Sequence, residues 1–117
     1  MSKRIFTMKE ALELLPDVQQ VTTDAVGRAD AIVQQLESTS DVGERSRLED
    51  QYNTVVRAWA ERILQLGAEV KGLWLVDFDS GDGIYYCWRH PEPTLDYFHE
   101  YDAGFAGRRP LGNLKVS

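Results

Sequence analysis

The feature that most constrains the fold of this chain is a change in the spacing of its apolar residues at Gly67. Before Gly67, apolar residues recur every three or four positions, which is the period of an amphipathic helix. From Glu69 onwards they alternate with polar residues, and Gly, Asp and Pro interrupt the pattern as they do between short strands. The sequence therefore predicts an α+β fold, with helices first and an antiparallel sheet after them.

The N-terminal segment is predicted to begin with a short helix. Thr7 and Glu10 form a capping box, which opens a helix over residues 8–15. Pro16 lacks an amide hydrogen and disfavours helix at the residue before it, so the helix is expected to break there. A long helix is expected to follow from about residue 16 to residue 38.

A further helix is predicted over about 42–66. Large side chains, including Tyr52 and Trp59, line one of its faces, whereas the apolar stripe of the preceding helix is small. Ala25 and Ala29 belong to that small stripe. Because only a short loop joins the two helices, we expect an antiparallel hairpin in which the large residues pack against the alanines.

Three strands are predicted after the hairpin. They cover about 73–79, 83–89 and 94–101, and give a small antiparallel sheet of three or four strands on which the hairpin packs. The whole chain is expected to form a single domain. This domain covers residues 1–117. Within it, residues of about 8–66 are expected to be helical and residues of about 69–102 to form the sheet, and residues 103–117 are expected to form a glycine-rich turn and a basic tail.

The shortest sensible turns fix which side chains share a face of this sheet. Pairing Phe78 with Ile84 and Arg89 with Leu95 collects large aromatic residues on one face, which the helices should cover. The opposite face is polar and aromatic, as in a ligand site or a subunit interface. This register sets three of its residues in one row: Asp77, Tyr85 and His99. A shift of two residues would dissolve the row but keep the faces.

Charge is distributed unevenly along the chain. The net charge of −6 argues against binding to nucleic acid or to an anionic membrane, so neither is predicted as a partner. Residues 69–102 carry eight acids and two bases, whereas residues 103–117 carry three bases and no acid. The basic tail is therefore expected to pair with the acidic sheet, Glu100 and Asp102 included.

The alternative role for the tail is to bind a small anionic ligand. Gly104 and Gly107 would let backbone amides turn towards a ligand, and the arginines beside them offer planar pairs of donors to a phosphate or carboxylate. The strand before the tail would carry a histidine to the same place. The candidate ligand-binding residues are Arg89, His99, Arg108, Arg109, Tyr85 and Asp77.

Imidazole and carboxylate groups near the second turn suggest a metal site as a further alternative. The candidate ligands are His90, Glu92, His99 and Asp102, with Asp77 as an additional one. Such ligands suit zinc, manganese or iron, but their spacing matches no known ligand motif. We therefore predict no cofactor and keep a divalent metal as an alternative.

Cys87 is the only cysteine, which excludes an internal disulfide. A lone cysteine fits a reducing compartment, and the charged N-terminal segment resembles neither a signal peptide nor an anchor, so the cytoplasm is the expected location. As a nucleophile, Cys87 would need a nearby group that stabilises its thiolate. The alternative is that it is a small hydrophobic residue of a strand.

Three segments of the chain resemble a known family. CWRHPEPTLDYFHEYDAGFAGRRPL at 87–111, IFTMKEALELLP at 5–16 and GAEVKGLWLVDF at 67–78 are similar to the patterns of a bacterial family filed as domain of unknown function 2203. The resemblance spans nearly the whole chain and supports the fold. It implies no catalytic residue, because the family has no assigned activity.

Two functions of different classes remain open, so the sequence leaves it uncertain whether the chain is an enzyme. The first is a non-enzymatic interaction or oligomerising module, expected as a two-fold dimer because the polar sheet face would otherwise leave aromatic surface in water. That face carries Leu75, Tyr85, Leu95 and Tyr97. The second is a binder or small hydrolytic enzyme for an anionic metabolite, with or without a metal, that uses the same face and the glycine-arginine turn.

Overall fold

Two long helices form an antiparallel hairpin in the computed structural model, which describes residues 4–113. They are α1 (Met8–Ser38) and α2 (Val42–Leu66). The capping box at the start of α1 is confirmed, since the Glu10 amide donates to Thr7 Oγ1 over 3.1 Å and the Thr7 amide donates to Glu10 Oε1 over 2.9 Å. The α2 helix has the predicted bounds, and Gly67 ends it in the left-handed conformation, with φ of 97°.

The predicted break at Pro16 is wrong, because α1 is continuous from Met8 to Ser38. A proline inside a helix costs about 3 kcal/mol, but burying a leucine or valine contributes about 1.5–3 kcal/mol each. Leu15 and Val18 flank the proline and are both buried in the core. Because Pro16 has no amide hydrogen, the backbone carbonyl four residues before it lacks a helical partner. Pro16 is exposed, so water can reach this carbonyl. Tertiary packing therefore keeps the helix continuous.

The burial of the hairpin's side chains agrees with the predicted apolar stripes. Ala25, Ala29 and Trp59 are buried, and Tyr52 is half-buried. The indole Nε1 of Trp59 donates to Thr22 Oγ1 over 2.8 Å, and this hydrogen bond is shielded from solvent.

The sheet has five antiparallel strands, each paired with its neighbour in sequence. The predicted α+β fold is therefore confirmed, with two short strands more than were predicted by position. The strands are β1 (Glu69–Gly72), β2 (Leu75–Asp79), β3 (Ile84–Arg89), β4 (Tyr97–Glu100) and β5 (Arg109–Pro110).

The predicted strand over 73–79 begins later because Trp74 takes a left-handed backbone, with φ of 60°, in the turn between β1 and β2. This conformation is unfavourable for a residue with a bulky side chain. The Trp74 ring stacks edge-on against Trp59 with 4.9 Å between centroids, and this contact helps to hold the turn.

The predicted register of the first hairpin is wrong by two residues. Phe78 pairs with Tyr86 rather than with Ile84, because the turn is longer than the shortest one. Gly81 and Gly83 both adopt positive φ, and Ser80 closes the loop through hydrogen bonds to the Ile84 carbonyl. The shift preserves the two faces, as an even shift must.

The predicted register of the second hairpin is confirmed, since Tyr85 pairs with His99. The predicted row of three residues is nevertheless dissolved, because the partner of Tyr85 on β2 is Asp79, and Asp77 instead pairs with Cys87.

The core lies between the hairpin and one face of the sheet, where the buried aromatic residues include Phe6, Phe78, Trp88 and Phe98. Gln19 of α1 also donates to the Pro93 carbonyl over 3.2 Å, which joins the hairpin to the second turn. Within residues 4–113, no helix combines the length and apolarity needed to cross a bilayer.

Candidate functional site

The face of the sheet that points away from the helices, here called the outer face, is covered by the chain itself. The Tyr101 ring lies against Tyr85 with 4.8 Å between centroids. The Arg108 guanidinium lies 4.0 Å from the centroid of Tyr97 and 4.7 Å from that of Phe105. As a result, several polar residues of this face are buried: Glu69, Asp77, Tyr85, Cys87 and His99.

A buried histidine–aspartate pair lies at the centre of the outer face. Nε2 of His99 is 2.8 Å from Oδ2 of Asp77, and Nδ1 is 2.8 Å from the carbonyl oxygen of Glu100. A carbonyl only accepts hydrogen bonds, so Nδ1 carries a proton. One further proton is shared between Nε2 and Oδ2, and the pair is electrically neutral whichever atom holds it.

The Asp77 carboxyl is 0% exposed, and burial raises its pKa above the usual value, although the nearby His99 partly opposes that effect. Its Oδ1 atom is also buried and forms no hydrogen bond of standard geometry among residues 4–113, although the Cys87 thiol interacts with the carboxyl as a weak donor. Leaving a buried acceptor unsatisfied costs about 1–3 kcal/mol. Asp77 is therefore held in an environment that needs a compensating interaction.

Cys87 lies directly across β2 and β3 from Asp77 and is 0% exposed. Burial, together with the charge of Asp77, raises the pKa of its thiol to about 12. The thiol is thus protonated at neutral pH and inaccessible to a substrate. These two properties do not fit a nucleophilic cysteine, which needs an exposed thiolate.

Asp77, Cys87 and His99 form one cluster, with a carboxylate oxygen, the thiol sulfur and an imidazole nitrogen within 4.8 Å of one another. Each residue comes from a different strand, β2, β3 or β4. Together the cluster offers one oxygen, one sulfur and one nitrogen donor.

The two tail arginines are engaged with carboxylates of the same chain. Arg108 forms a bidentate pair with Glu92, at 2.7 and 2.8 Å, and also donates to the Cys87 carbonyl over 3.2 Å. Arg109 pairs with Glu100 at 2.8 Å, in an exposed position. The expected pairing of the tail with acidic residues is therefore present for Glu100, whereas Arg108 binds Glu92 rather than Asp102, and both guanidinium groups that were candidates for anion binding are already occupied.

The remaining candidates for ligand binding, Arg89 and Tyr85, lie beside other members of the set. The Arg89 guanidinium is 5.6 Å from the centroid of Phe105, the ring that Arg108 also contacts, and the Tyr85 ring is 5.5 Å from that of His99. Tyr85 is buried, and its hydroxyl donates to Glu69 over 3.3 Å. Lys71, which forms an ion pair with Glu69 at 3.0 Å, covers the Tyr85 ring.

The sequence-based set of metal ligands is not brought together. Glu92 binds Arg108, His90 lies beside Trp88 with 6.2 Å between ring centroids, and Asp102 is exposed. Two members of that set, His99 and the additional candidate Asp77, lie together in the buried cluster. Sequence reasoning missed Cys87 as a possible ligand, although its position on the same face as Asp77 and His99, together with the two-residue shift, would have placed it beside Asp77.

These features define a class of α+β proteins in which a helical hairpin covers one face of a five-stranded meander and the C-terminal segment covers the other. The chain belongs to the family described as "Uncharacterized conserved protein (DUF2203)", whose model matches residues 4–111. The match includes the hairpin, the sheet and the tail up to Leu111. Neither the curated proteins nor the solved structures include a match to the chain.

Proposed function

We propose that this protein is a small cytoplasmic, non-enzymatic interaction module that works as a homo-oligomer, in the simplest case a two-fold dimer. The observation that carries the proposal is the reach of the helical hairpin beyond the sheet. The molecule measures 58 × 27 × 24 Å, and α1 continues to Ser38 beyond Ala25, which still packs in the core shared with the sheet. The stretch beyond Ala25 is about 20 Å long at 1.5 Å per residue.

The surface of the projecting part is suited to a second copy of the chain. Val33 is 37% exposed and Val42 is 81% exposed near the end of the hairpin. Counted over its whole length, α1 carries six acids and two bases, whereas α2 carries four of each. In an antiparallel two-fold pairing, the acidic helix of one protomer would face the arginines of α2 in the other, which is a complementary arrangement.

The sequence predicts dimerisation because aromatic residues of the sheet face would be left in water, but this reason does not hold for the folded chain. Tyr85 and Leu95 are buried by the chain's own segments, and Tyr97 lies under the Arg108 guanidinium. We therefore propose that the two copies of the chain contact each other through the hairpin.

The chemistry of the outer face supports a role without catalysis. The Cys87 thiol is protonated and sealed, His99 is 3% exposed, and Arg108 and Arg109 hold carboxylates. A small anionic metabolite remains the alternative ligand, but no observation favours it. The net charge of −6 supports the absence of nucleic acid and membrane from the set of partners, and the unpaired Cys87 supports a reducing location.

The test is the mass of the protein in solution, measured by analytical ultracentrifugation over a range of protein and salt concentrations. We expect a dimer that weakens with salt, and that weakens further when Val33→Glu and Val42→Glu are combined. Leu73→Glu is the matched control, because Leu73 is 50% exposed and lies in the β1–β2 turn. A monomer at high concentration, or equal loss in the control, would reject the proposal. Phosphate binding that shifts the NMR signals of His99 would favour the alternative.

A further inference from the structure

We infer that Asp77, Cys87 and His99 bind one zinc ion on the outer face of the sheet. Their donor atoms lie within 4.8 Å of one another. Zinc bonds of 2.0–2.3 Å in tetrahedral geometry place donor atoms roughly 3.4 Å apart, so small side-chain movements bring the three onto one ion. A site of this kind is distinct from the interaction surface of the hairpin.

An unsatisfied oxygen gives independent support for a cation at this position. Oδ1 of Asp77 is sealed from solvent and has no hydrogen-bond partner among the described residues. The side chain as a whole is 0% exposed, so bulk water does not compensate it. In the metal-free protein the Cys87 thiol interacts with this carboxyl only as a weak donor, and a bound cation would supply a stronger interaction.

The histidine is also oriented as metal-binding histidines are. Its Nδ1 donates to the Glu100 carbonyl over 2.8 Å, which fixes that nitrogen in the protonated form and turns Nε2 towards Asp77. Histidine ligands of metals commonly donate their second ring nitrogen to a carbonyl or carboxylate in this way. The backbone of β4 therefore presents Nε2 as the available donor.

The exchange of two protons for one zinc ion leaves the net charge of the buried site unchanged. Without metal, the cluster holds the protonated thiol of Cys87 and one proton shared by His99 and Asp77, and its net charge is zero. Zinc binding breaks the S–H bond and displaces the shared proton, so two protons leave to solvent as one Zn²⁺ enters. The product, with a thiolate, a carboxylate and a neutral imidazole, again has zero net charge. Neutrality matters because an uncompensated buried charge is costly.

The mixed donor set selects zinc over the hard cations. Calcium and magnesium prefer oxygen ligands, whereas thiolate and imidazole suit zinc. Three protein ligands leave one of the four tetrahedral positions for a further donor. A water molecule in that position keeps the net charge of the site at zero.

The experiment follows zinc uptake as the protein refolds, because the cluster is buried once the fold is complete. The purified chain is unfolded in denaturant with a chelator, then refolded with Zn²⁺ or with Co²⁺ as a spectroscopic probe. We expect one metal per chain by elemental analysis, two more protons released per zinc than when the same chain refolds without metal, and a cobalt–thiolate charge-transfer band in the near ultraviolet. These three readouts need only the unmodified protein.

Two conservative variants and one matched control test the ligands. Cys87→Ser and His99→Gln should lower the zinc affinity on the order of 100-fold or more, since even the loss of an outer-shell partner costs 10–100-fold. His90→Gln should leave it unchanged, because this other histidine lies outside the cluster. Unchanged zinc affinity in Cys87→Ser or His99→Gln, loss in His90→Gln, or absence of the cobalt–thiolate band in the unmodified protein would overturn the inference.

Discussion

Replacing Trp59 tests the hairpin at the point where its two helices and the sheet meet. Trp59 is 2% exposed, donates its indole N–H to Thr22, and stacks against Trp74. Trp59→Ala should lower the free energy of unfolding by about 3–5 kcal/mol, because a large aromatic side chain is lost from a buried position. An unchanged free energy of unfolding would show that Trp59 is not packed between the helices.

The hydrogen bond can be separated from the packing by a double-mutant cycle. Trp59→Phe removes the donor and leaves the fully buried Thr22 hydroxyl to find another partner, at a cost of about 1–3 kcal/mol beyond the loss of ring volume. Thr22→Val removes the other partner at nearly constant shape and leaves the indole N–H unsatisfied, at a similar cost.

The two changes combined should cost less than the sum of the single changes, by about 0.5–1.5 kcal/mol, because neither partner is then left alone. Urea unfolding followed by circular dichroism provides the free energies, and equal m-values across the four proteins would show that the unfolded states are comparable. Strict additivity would refute the argument that this hydrogen bond couples α1 to α2.

Three further predictions concern the tail, the buried thiol and α1. Arg108→Ala should lower the free energy of unfolding by about 1.5–3 kcal/mol, because a charged bidentate contact with Glu92 is lost. Arg109 is exposed, so Arg109→Ala should lower it by less than about 1 kcal/mol. Equal effects of the two variants in thermal or urea unfolding would contradict this prediction. In metal-free protein, the pKa of Cys87 near 12 is above that of an unfolded thiol, so its stabilising contribution is complete below about pH 8.5 and falls by about 1.4 kcal/mol per pH unit above it. Urea unfolding from pH 8 to 11 should show this decline relative to Cys87→Ala, and parallel curves would refute it. Pro16→Ala should stabilise the protein by about 1–2 kcal/mol, as a helical hydrogen bond is restored while some unfolded-state entropy is regained; a loss of stability by the same measurement would show that the proline is needed.

The parts of the fold that the sequence predicted are those that depend on local patterns. The capping box at Thr7, the left-handed end at Gly67 and the apolar period of α2 are each encoded within a few residues. The continuity of α1 through Pro16 is not local, because it depends on the burial of residues whose partners lie in the sheet. The turn at Trp74 likewise depends on a contact with a distant helix.

The candidate site was predictable in its faces but not in its contacts. Alternation placed Asp77, Cys87 and His99 on one face, and an even shift of register could not change that. Which of them touch depends on the length of the first turn, where two glycines and Ser80 decide the register. The tail buries this face because Arg108 pairs with one particular carboxylate. The sequence contains several acids that could pair with Arg108, so it does not specify this arrangement.

The residues that close the outer face come later in the chain than the strands that form it. Strands β2, β3 and β4 pair with one another through residues no later than Glu100. Arg108, which reaches back to Glu92 and to the Cys87 carbonyl, leaves the ribosome after all of them. Pairing of the three strands therefore does not require Arg108, whereas closure of their outer face does.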